Sequence, residues 1–179
     1  LDDVSDGSIA EYTDYIDNYS ITSGRSYTGD YAITAVGGDN AFLADDGGIG
    51  TVSQGTIFSM RAYLESSAAE VGILFGVQSE GRKNWYNAEY KAPQNRLAIF
   101  RDNETRPTET VANKNGVELP AEEWLQFKIT WDDGTLGGNS GDITFTIQRE
   151  SGEVLHEIAG NNTFYTSGGI GYNNQADVA

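Results

Sequence analysis

The residue types available for chemistry are few, and they narrow the field at once. The chain of 179 residues has no cysteine and one histidine, His156. Thiol catalysis, cysteine-ligated zinc, iron–sulfur clusters, disulfides and any two-histidine mechanism are excluded. Carboxylates, amides, guanidinium groups and aromatic rings remain. They meet in one stretch, Asn84-Trp85-Tyr86-Asn87-Ala88-Glu89-Tyr90-Lys91. In an extended strand Trp85, Asn87 and Glu89 share one face, and Tyr86, Ala88 and Tyr90 the other. A ring that covers the apolar C–H face of a sugar, beside polar groups that fix its hydroxyls, is the chemistry of glycan recognition. Burying Glu89 without a partner would be costly. The expectation is therefore Tyr86, Ala88 and Tyr90 in the core. Trp85, Asn87 and Glu89 would then line an exposed sheet face, with Arg96 on the adjoining strand completing a ligand-binding set.

Other chemistry-bearing residues read more plainly. His156 lies in the segment Glu153–Ile158 and is expected as a surface or edge-strand histidine. Asp132-Asp133-Gly134 is a turn signal, and Asp45-Asp46-Gly47-Gly48 a solvated loop. Trp124 and Trp131 are expected in core and edge packing. The three sequons, Asn18-Tyr19-Ser20, Asn103-Glu104-Thr105 and Asn161-Asn162-Thr163, accord with an extracellular setting without proving it.

The elements that must position these residues are strands. Glycine is frequent, with 22 residues, and proline rare, with 3. Pairs such as Gly37-Gly38, Gly47-Gly48, Gly137-Gly138 and Gly168-Gly169 separate short runs of period-two alternation. The runs are Tyr31–Val36, Thr56–Tyr63, Val71–Val77, Trp85–Lys91, Arg96–Arg101, Leu125–Trp131, Ile143–Ile147, Val154–Ile158 and Gly168–Tyr172. Leu125, Phe127, Ile129 and Trp131 alternate with Gln126, Lys128 and Thr130, the pattern of a half-buried strand. Ser66–Glu70 is too short for an independent helix and reads as loop. No repeat or linker divides the chain, so one domain over 1–179 is expected. Short connections make the sheets mainly antiparallel.

Charge sets the partners. There are 27 acidic residues against 11 basic ones, a net charge of -16. That field repels nucleic acid phosphates and anionic membranes. No apolar run approaches the ~18 residues of a spanning helix, so membrane insertion is excluded as well. Acids are spread along the chain, and lysine is limited to Lys83, Lys91, Lys114 and Lys128. Such a surface suits concentrated salt, where screening removes self-repulsion. A salt-adapted source is the expectation, with an ordinary acidic secreted protein as the alternative. The chain opens at Leu1 without an initiator methionine, which reads as a processed or excerpted N-terminus.

Three stretches carry a family resemblance by their order and spacing. The first is Leu1-Asp2-Asp3-Val4-Ser5-Asp6-Gly7 with Glu11-Tyr12, and the second Tyr27-Thr28-Gly29-Asp30-Tyr31-Ala32-Ile33. The third runs from Glu123-Trp124-Leu125-Gln126-Phe127 through Ser151-Gly152-Glu153-Val154-Leu155 to Tyr165-Thr166-Ser167-Gly168-Gly169-Ile170-Gly171. Together they resemble the concanavalin A-like lectin/glucanase superfamily, in its laminin-G-like and carbohydrate-binding branches. The resemblance implies an all-β jelly-roll sandwich of two curved antiparallel sheets, about 10–11 strands, with little or no helix. It does not fix a ligand. It also implies a structural calcium between the N-terminal strand, the next glycine-containing turn and the C-terminal strand. By position the ligands would be Asp3, Asp6, the carbonyls of Thr28 and Asp30, and Asp177, with Ser5 standing where a glutamate is usual.

Two departures shape the functional reading. The hydrolases of this fold carry alternating carboxylates along one strand, and no Glu-x-Asp-x-x-Glu run occurs here. A polysaccharide lyase would need a differently placed histidine than His156. No enzyme activity is expected. Second, the chain stops at Asp177-Val178-Ala179 where the superfamily has one more strand. Either the sequence is cut short of that strand, which is the first expectation, or the sandwich lacks it, which would leave an open edge for a neighbouring subunit to complete. The reading is an extracellular, non-catalytic module of a cell surface or virion that recognises a glycan or surface polymer. The alternatives are a structural subunit or decoration of a filament, capsid or tail, and, last, a glycan-cleaving enzyme.

Overall fold

In the computed structural model, residues 12–14, 19–23, 32–35, 40–43, 51–65, 70–78 and 84–174 are described. They form a sandwich of antiparallel sheets. The strands, in chain order, are β1 (Tyr12–Asp14), β2 (Tyr19–Thr22), β3 (Ala32–Ala35), β4 (Asn40–Leu43), β5 (Thr51–Ser53), β6 (Thr56–Tyr63) and β7 (Glu70–Val77). They continue with β8 (Trp85–Lys91), β9 (Arg96–Asn103), β10 (Arg106–Asn115), β11 (Trp124–Asp133), β12 (Ser140–Arg149), β13 (Val154–Asn161) and β14 (Ser167–Asn174). The large sheet runs β1-β4-β14-β7-β8-β9-β10, with β5 also paired to β14. The small sheet runs β13-β12-β11-β6, and β2 and β3 pair separately. The fourteen strands among the described residues exceed the ten or eleven expected from sequence; β1 and β5 are only three residues long, and β10 is mostly exposed, so none of these three carries an apolar stripe that marks it. Residues 66–69, read as loop, lie outside the described residues, and Glu70 opens β7.

The alternation of β11 and β12 dictates how the sheets meet. Leu125, Phe127, Ile129 and Trp131 of β11, with Ile143, Phe145 and Ile147 of β12, are fully buried. They pack against Ile73 and Phe75 of β7, Tyr86, Ala88 and Tyr90 of β8, and Leu97 and Ile99 of β9. Aromatic rings join the layers. Phe75 meets Trp131 edge-on at 5.3 Å between centroids, and Tyr86 meets Trp131 at 5.8 Å. Such pairs are worth about 0.5–1.5 kcal/mol beyond the area they bury. Trp124 packs at the margin, edge-on to Tyr63 at 5.6 Å. Both tryptophans therefore take the packing places read for them.

The connection from β8 to β9 is a single 3-10 turn, Ala92–Gln94, closed by Asn95 at φ 45°. Asparagine tolerates this left-handed conformation better than most residues. The turn fixes the register Lys91↔Arg96, Glu89↔Ala98, Asn87↔Phe100 and Trp85↔Asp102. His156 lies on β13, an edge strand of the small sheet, with Nε2 3.2 Å from the Glu118 carbonyl oxygen. It is on the other sheet from β8, so the two do not share a strand face. Asp132 and Asp133 end β11, and Gly134 opens its connection to β12, where the turn was expected.

Candidate functional site

The inward half of the β8 reading holds. Tyr86, Ala88 and Tyr90 face the inter-sheet core. Trp85, Asn87 and Glu89 share the opposite face, as the period of a strand requires. Their exposure is the correction. Trp85 is 5% exposed, Asn87 8% and Glu89 3%, so this face is covered rather than open. The exposed reading rested on the cost of an unpaired buried carboxylate, and here the carboxylate has partners. Asn87 Nδ2 donates to Glu89 Oε2 at 2.7 Å, and Asn173 Nδ2 donates to the same oxygen at 3.0 Å. Lys91 Nζ lies 3.3 Å from Glu89 Oε1 and 3.4 Å from Glu70 Oε2.

The topology explains how Asn173 arrives. The register places Asn173 of β14 opposite Gly72 of β7, and Gly72 opposite Glu89 of β8. Asn173 thus bonds across an intervening strand. Gly72 makes this feasible, because a Cβ there would stand 2.7 Å from the Ala88 carbonyl oxygen and 2.9 Å from Glu89 Cβ. Any side chain at position 72 would occupy the path between the amide and the carboxylate.

Burial pushes the Glu89 carboxyl above the ordinary glutamate range, while the Lys91 ammonium and the Asn87 amide oppose the rise. The Glu70 carboxylate, sharing Lys91, adds to it. With their amide nitrogens turned to Glu89, Asn87 and Asn173 leave two carbonyl oxygens. Neither Asn87 Oδ1 nor Asn173 Oδ1 has a hydrogen-bond partner among the described residues, though both are buried. Buried polar atoms in folded proteins are nearly all paired. The arrangement is therefore short of donors at two oxygens set beside a carboxylate, which is what a pair of hydroxyl groups supplies.

Arg96 is on the same face but is not a partner of Glu89. It stands opposite Lys91, and its guanidinium carbon lies 5.1 Å from the Phe100 ring centroid. Its Nε is buried and unpaired among the described residues. Trp85 packs with Leu74 and Val77 in a small apolar cluster beside the polar row. Sequence reasoning missed Asn173, Gly72 and Glu70, whose place depends on pairing across strands. Lys91 was legible, since residues two apart on a strand share a face.

The five expected calcium ligands, Asp3, Asp6, Thr28, Asp30 and Asp177, lie outside the described residues. Among the described residues no group of three or more histidine, aspartate or glutamate side chains is placed to hold a metal ion. No helix among them is long and apolar enough to cross a membrane.

Comparison with solved structures adds to the fold. The carbohydrate binding module CBM66 from Bacillus subtilis is similar with a TM-score of 0.58, at 10% identity, over 88% of this chain and 92% of that one. Chicken galectin 2 matches with a TM-score of 0.47, at 9% identity, over 68% of this chain and 84% of that one. No protein-family model matches the chain, and no curated protein does. The likeness to the binding module is one of architecture, and it agrees with the jelly-roll sandwich that the sequence implied.

Proposed function

We propose that the chain is a non-catalytic carbohydrate-recognition module, working outside the cell on the surface of a salt-adapted organism or its virus. The observation that carries the reading is a pair of buried amide oxygens, Asn87 Oδ1 and Asn173 Oδ1, that flank Glu89 on one sheet face and have no hydrogen-bond partner among the described residues. Two sugar hydroxyls would donate to them, and Trp85 and Phe100 supply apolar surface on the same face. The shared architecture with a carbohydrate binding module supports the same reading. Because these groups are buried, association is expected to be slower than at an open site. A structural calcium on Asp3, Asp6, Thr28, Asp30 and Asp177 belongs to this proposal.

The test is a binding screen of neutral oligosaccharides and polysaccharides in molar salt, with calcium and then with chelator. Saturable binding weakened tenfold or more by Asn87→Ala or Asn173→Ala, with no new reducing ends, is expected. A folded protein silent across the screen overturns the recognition reading, and release of reducing ends overturns its non-catalytic part. Calcium-dependent melting that persists in the Glu89→Gln variant would place a metal away from this face.

A further inference from the structure

A second constellation lies on the opposite face of the large sheet, the face that Tyr86 shares. Phe164, in the segment between β13 and β14, is 44% exposed. The guanidinium carbon of Arg101 on β9 is 4.5 Å from its ring centroid, and that of Arg106 on β10 is 5.4 Å. Arg101 is 6% exposed and bound to Glu109, Nη2 to Oε2 at 2.8 Å, while its Nε has no hydrogen-bond partner among the described residues. Arg106 is exposed and pairs through its backbone with Asn103, and its guanidinium meets the Phe164 ring.

The ring is held from beneath. Phe164 meets Tyr165 edge-on, with centroids 4.8 Å apart and planes at 87°. The Phe164 N–H donates to Asn162 Oδ1 at 3.0 Å, the oxygen that also accepts the Tyr86 hydroxyl at 2.7 Å. Tyr165 N–H donates to the Tyr86 hydroxyl oxygen at 3.1 Å. An exposed aromatic tied to a hydrogen-bonded network that reaches the buried Tyr165 amide loses little freedom when something binds to it.

The charge is as informative as the rigidity. In a chain with 27 acids and 11 bases, two of the seven arginines converge on one exposed ring, and among the described residues one carboxylate, Glu109, is ion-paired there, with Arg101. A guanidinium held against an aromatic face keeps its N–H edge for an oxyanion, which it binds through paired, charge-assisted hydrogen bonds. The apolar ring beside it fits the C–H face of a sugar. The net charge of -16 repels densely charged polymers, so the anion that fits is an isolated one.

We propose that Arg106, Arg101 and Phe164 form a second binding site, which takes a single sugar acid, its carboxylate on Arg106 and its ring on Phe164. The proposal takes the nature of its ligand from the carbohydrate reading but uses none of the residues around Glu89.

The experiment titrates the whole chain with an oligosaccharide ending in glucuronic acid, its methyl ester and its sulfated counterpart. The free acid is expected to bind at least tenfold more tightly than the ester. Arg106→Gln and Phe164→Ala, both at exposed positions and checked for unchanged melting, are expected to weaken the acid tenfold or more. Glu89→Gln is expected to leave it unchanged. Equal binding of acid and ester, tighter binding of the sulfated form, full affinity in Arg106→Gln, or no binding at millimolar acid each overturns the proposal. Neutral glycans bound through Asn87 while the acid is ignored would overturn this site alone. The acid bound through Arg106 with neutral glycans ignored would overturn only the reading around Glu89.

Discussion

Glu89 shows how one residue can be read correctly in direction and wrongly in environment. Alternation along β8 placed it opposite Tyr86, Ala88 and Tyr90, and that holds. Its burial depended on partners: Lys91 and Asn87 lie on its own strand, and a third, Asn173, is 84 residues away in sequence. Single-strand periodicity cannot supply such a partner, because it follows from the register of β14 on β7 and β7 on β8. The raised carboxyl has a thermodynamic consequence. An unfolded glutamate titrates at about 4.3, and Glu89 in the fold titrates higher. Between the two values the folded chain holds a proton that the unfolded chain has released, so stability falls as pH rises through the folded value. Glu89→Gln is expected to flatten that part of the melting-temperature profile and to leave the protein at least as stable as the parent at pH 8. Lys91 then keeps Glu70 as its partner. A steeper slope, or a large loss of stability at pH 8, would contradict this account.

Tyr86 provides the contrasting case at the same scale. Its hydroxyl is pushed up to about 12 by burial, and it donates to Asn162 Oδ1 while accepting the Tyr165 N–H. Tyr86→Phe leaves that buried N–H without its acceptor, a change that costs about 1–3 kcal/mol. Urea unfolding of parent and variant measures it. The loss is expected to come with faster exchange of the Tyr165 amide, since the same oxygen held it.

At the scale of elements, β11 and β12 were legible because each buries residues largely at a period of two, whereas β8 is buried on both faces and β9 over the successive residues Leu97, Ala98 and Ile99, which alternation alone does not predict. β10 was not legible. Most of its ten residues are exposed, so no apolar face marks it, and its strand conformation comes from the ladder to β9. Register irregularities between Arg106 and Glu109 and between Thr110 and Ala112 interrupt that ladder. Bulges and a proline, here Pro107, are common on edge strands, where they discourage pairing with another chain. The open edge expected from sequence was placed at the C-terminus. Residues 175–179 lie outside the described residues, and β14, just before them, is paired on both sides, with β4 and β7.

The β11–β12 connection carries an element-scale prediction. Asp132 Oδ1 accepts the Gly134 N–H at 2.6 Å and the Leu136 N–H at 3.0 Å, while Oδ2 accepts the Gly138 N–H at 2.6 Å. These backbone donors, Leu136 first, hold its carboxyl below the ordinary aspartate range. The depressed value stabilises the fold above the unfolded pKa, and that contribution disappears as pH falls through the folded one. Asp132→Ala is expected to speed hydrogen exchange at Gly134, Leu136 and Gly138 at neutral pH. Asp133→Ala is expected to spare those three amides, because Asp133 binds Thr135 instead. Equal effects of the two substitutions would show that the turn does not depend on the Asp132 carboxylate.

For the whole molecule, the sandwich was legible because its evidence is distributed: many short alternating runs, frequent glycine turns and no cysteine or long helix pattern. The Glu89 site was legible only in part, since a site is a meeting of strands. Arg101, Arg106 and Phe164 left no local signal, because their meeting joins β9, β10 and the segment before β14. Net charge, by contrast, is a property of the entire chain, and it makes a prediction of its own. At -16 the folded state brings like charges closer than the unfolded chain does, so self-repulsion opposes folding. The screening length falls from about 10 Å at 0.1 M salt to about 3 Å at 1 M, which removes most of that repulsion between exposed carboxylates. Melting temperature is therefore expected to rise by several degrees between 0.1 and 1 M potassium chloride. Differential scanning calorimetry at fixed pH measures it, and chloride keeps strongly excluded anions such as sulfate from strengthening apolar burial on their own account. Titration to pH 3 in low salt, where carboxylates protonate, separates the two contributions. Repulsion among carboxylates should then be gone, leaving only the weaker repulsion of the 11 basic residues and a smaller salt dependence, while the Asp132 turn loosens. A melting temperature indifferent to potassium chloride at neutral pH would mean that the surface acids are too far apart to repel, and the salt-adapted reading would fall with it.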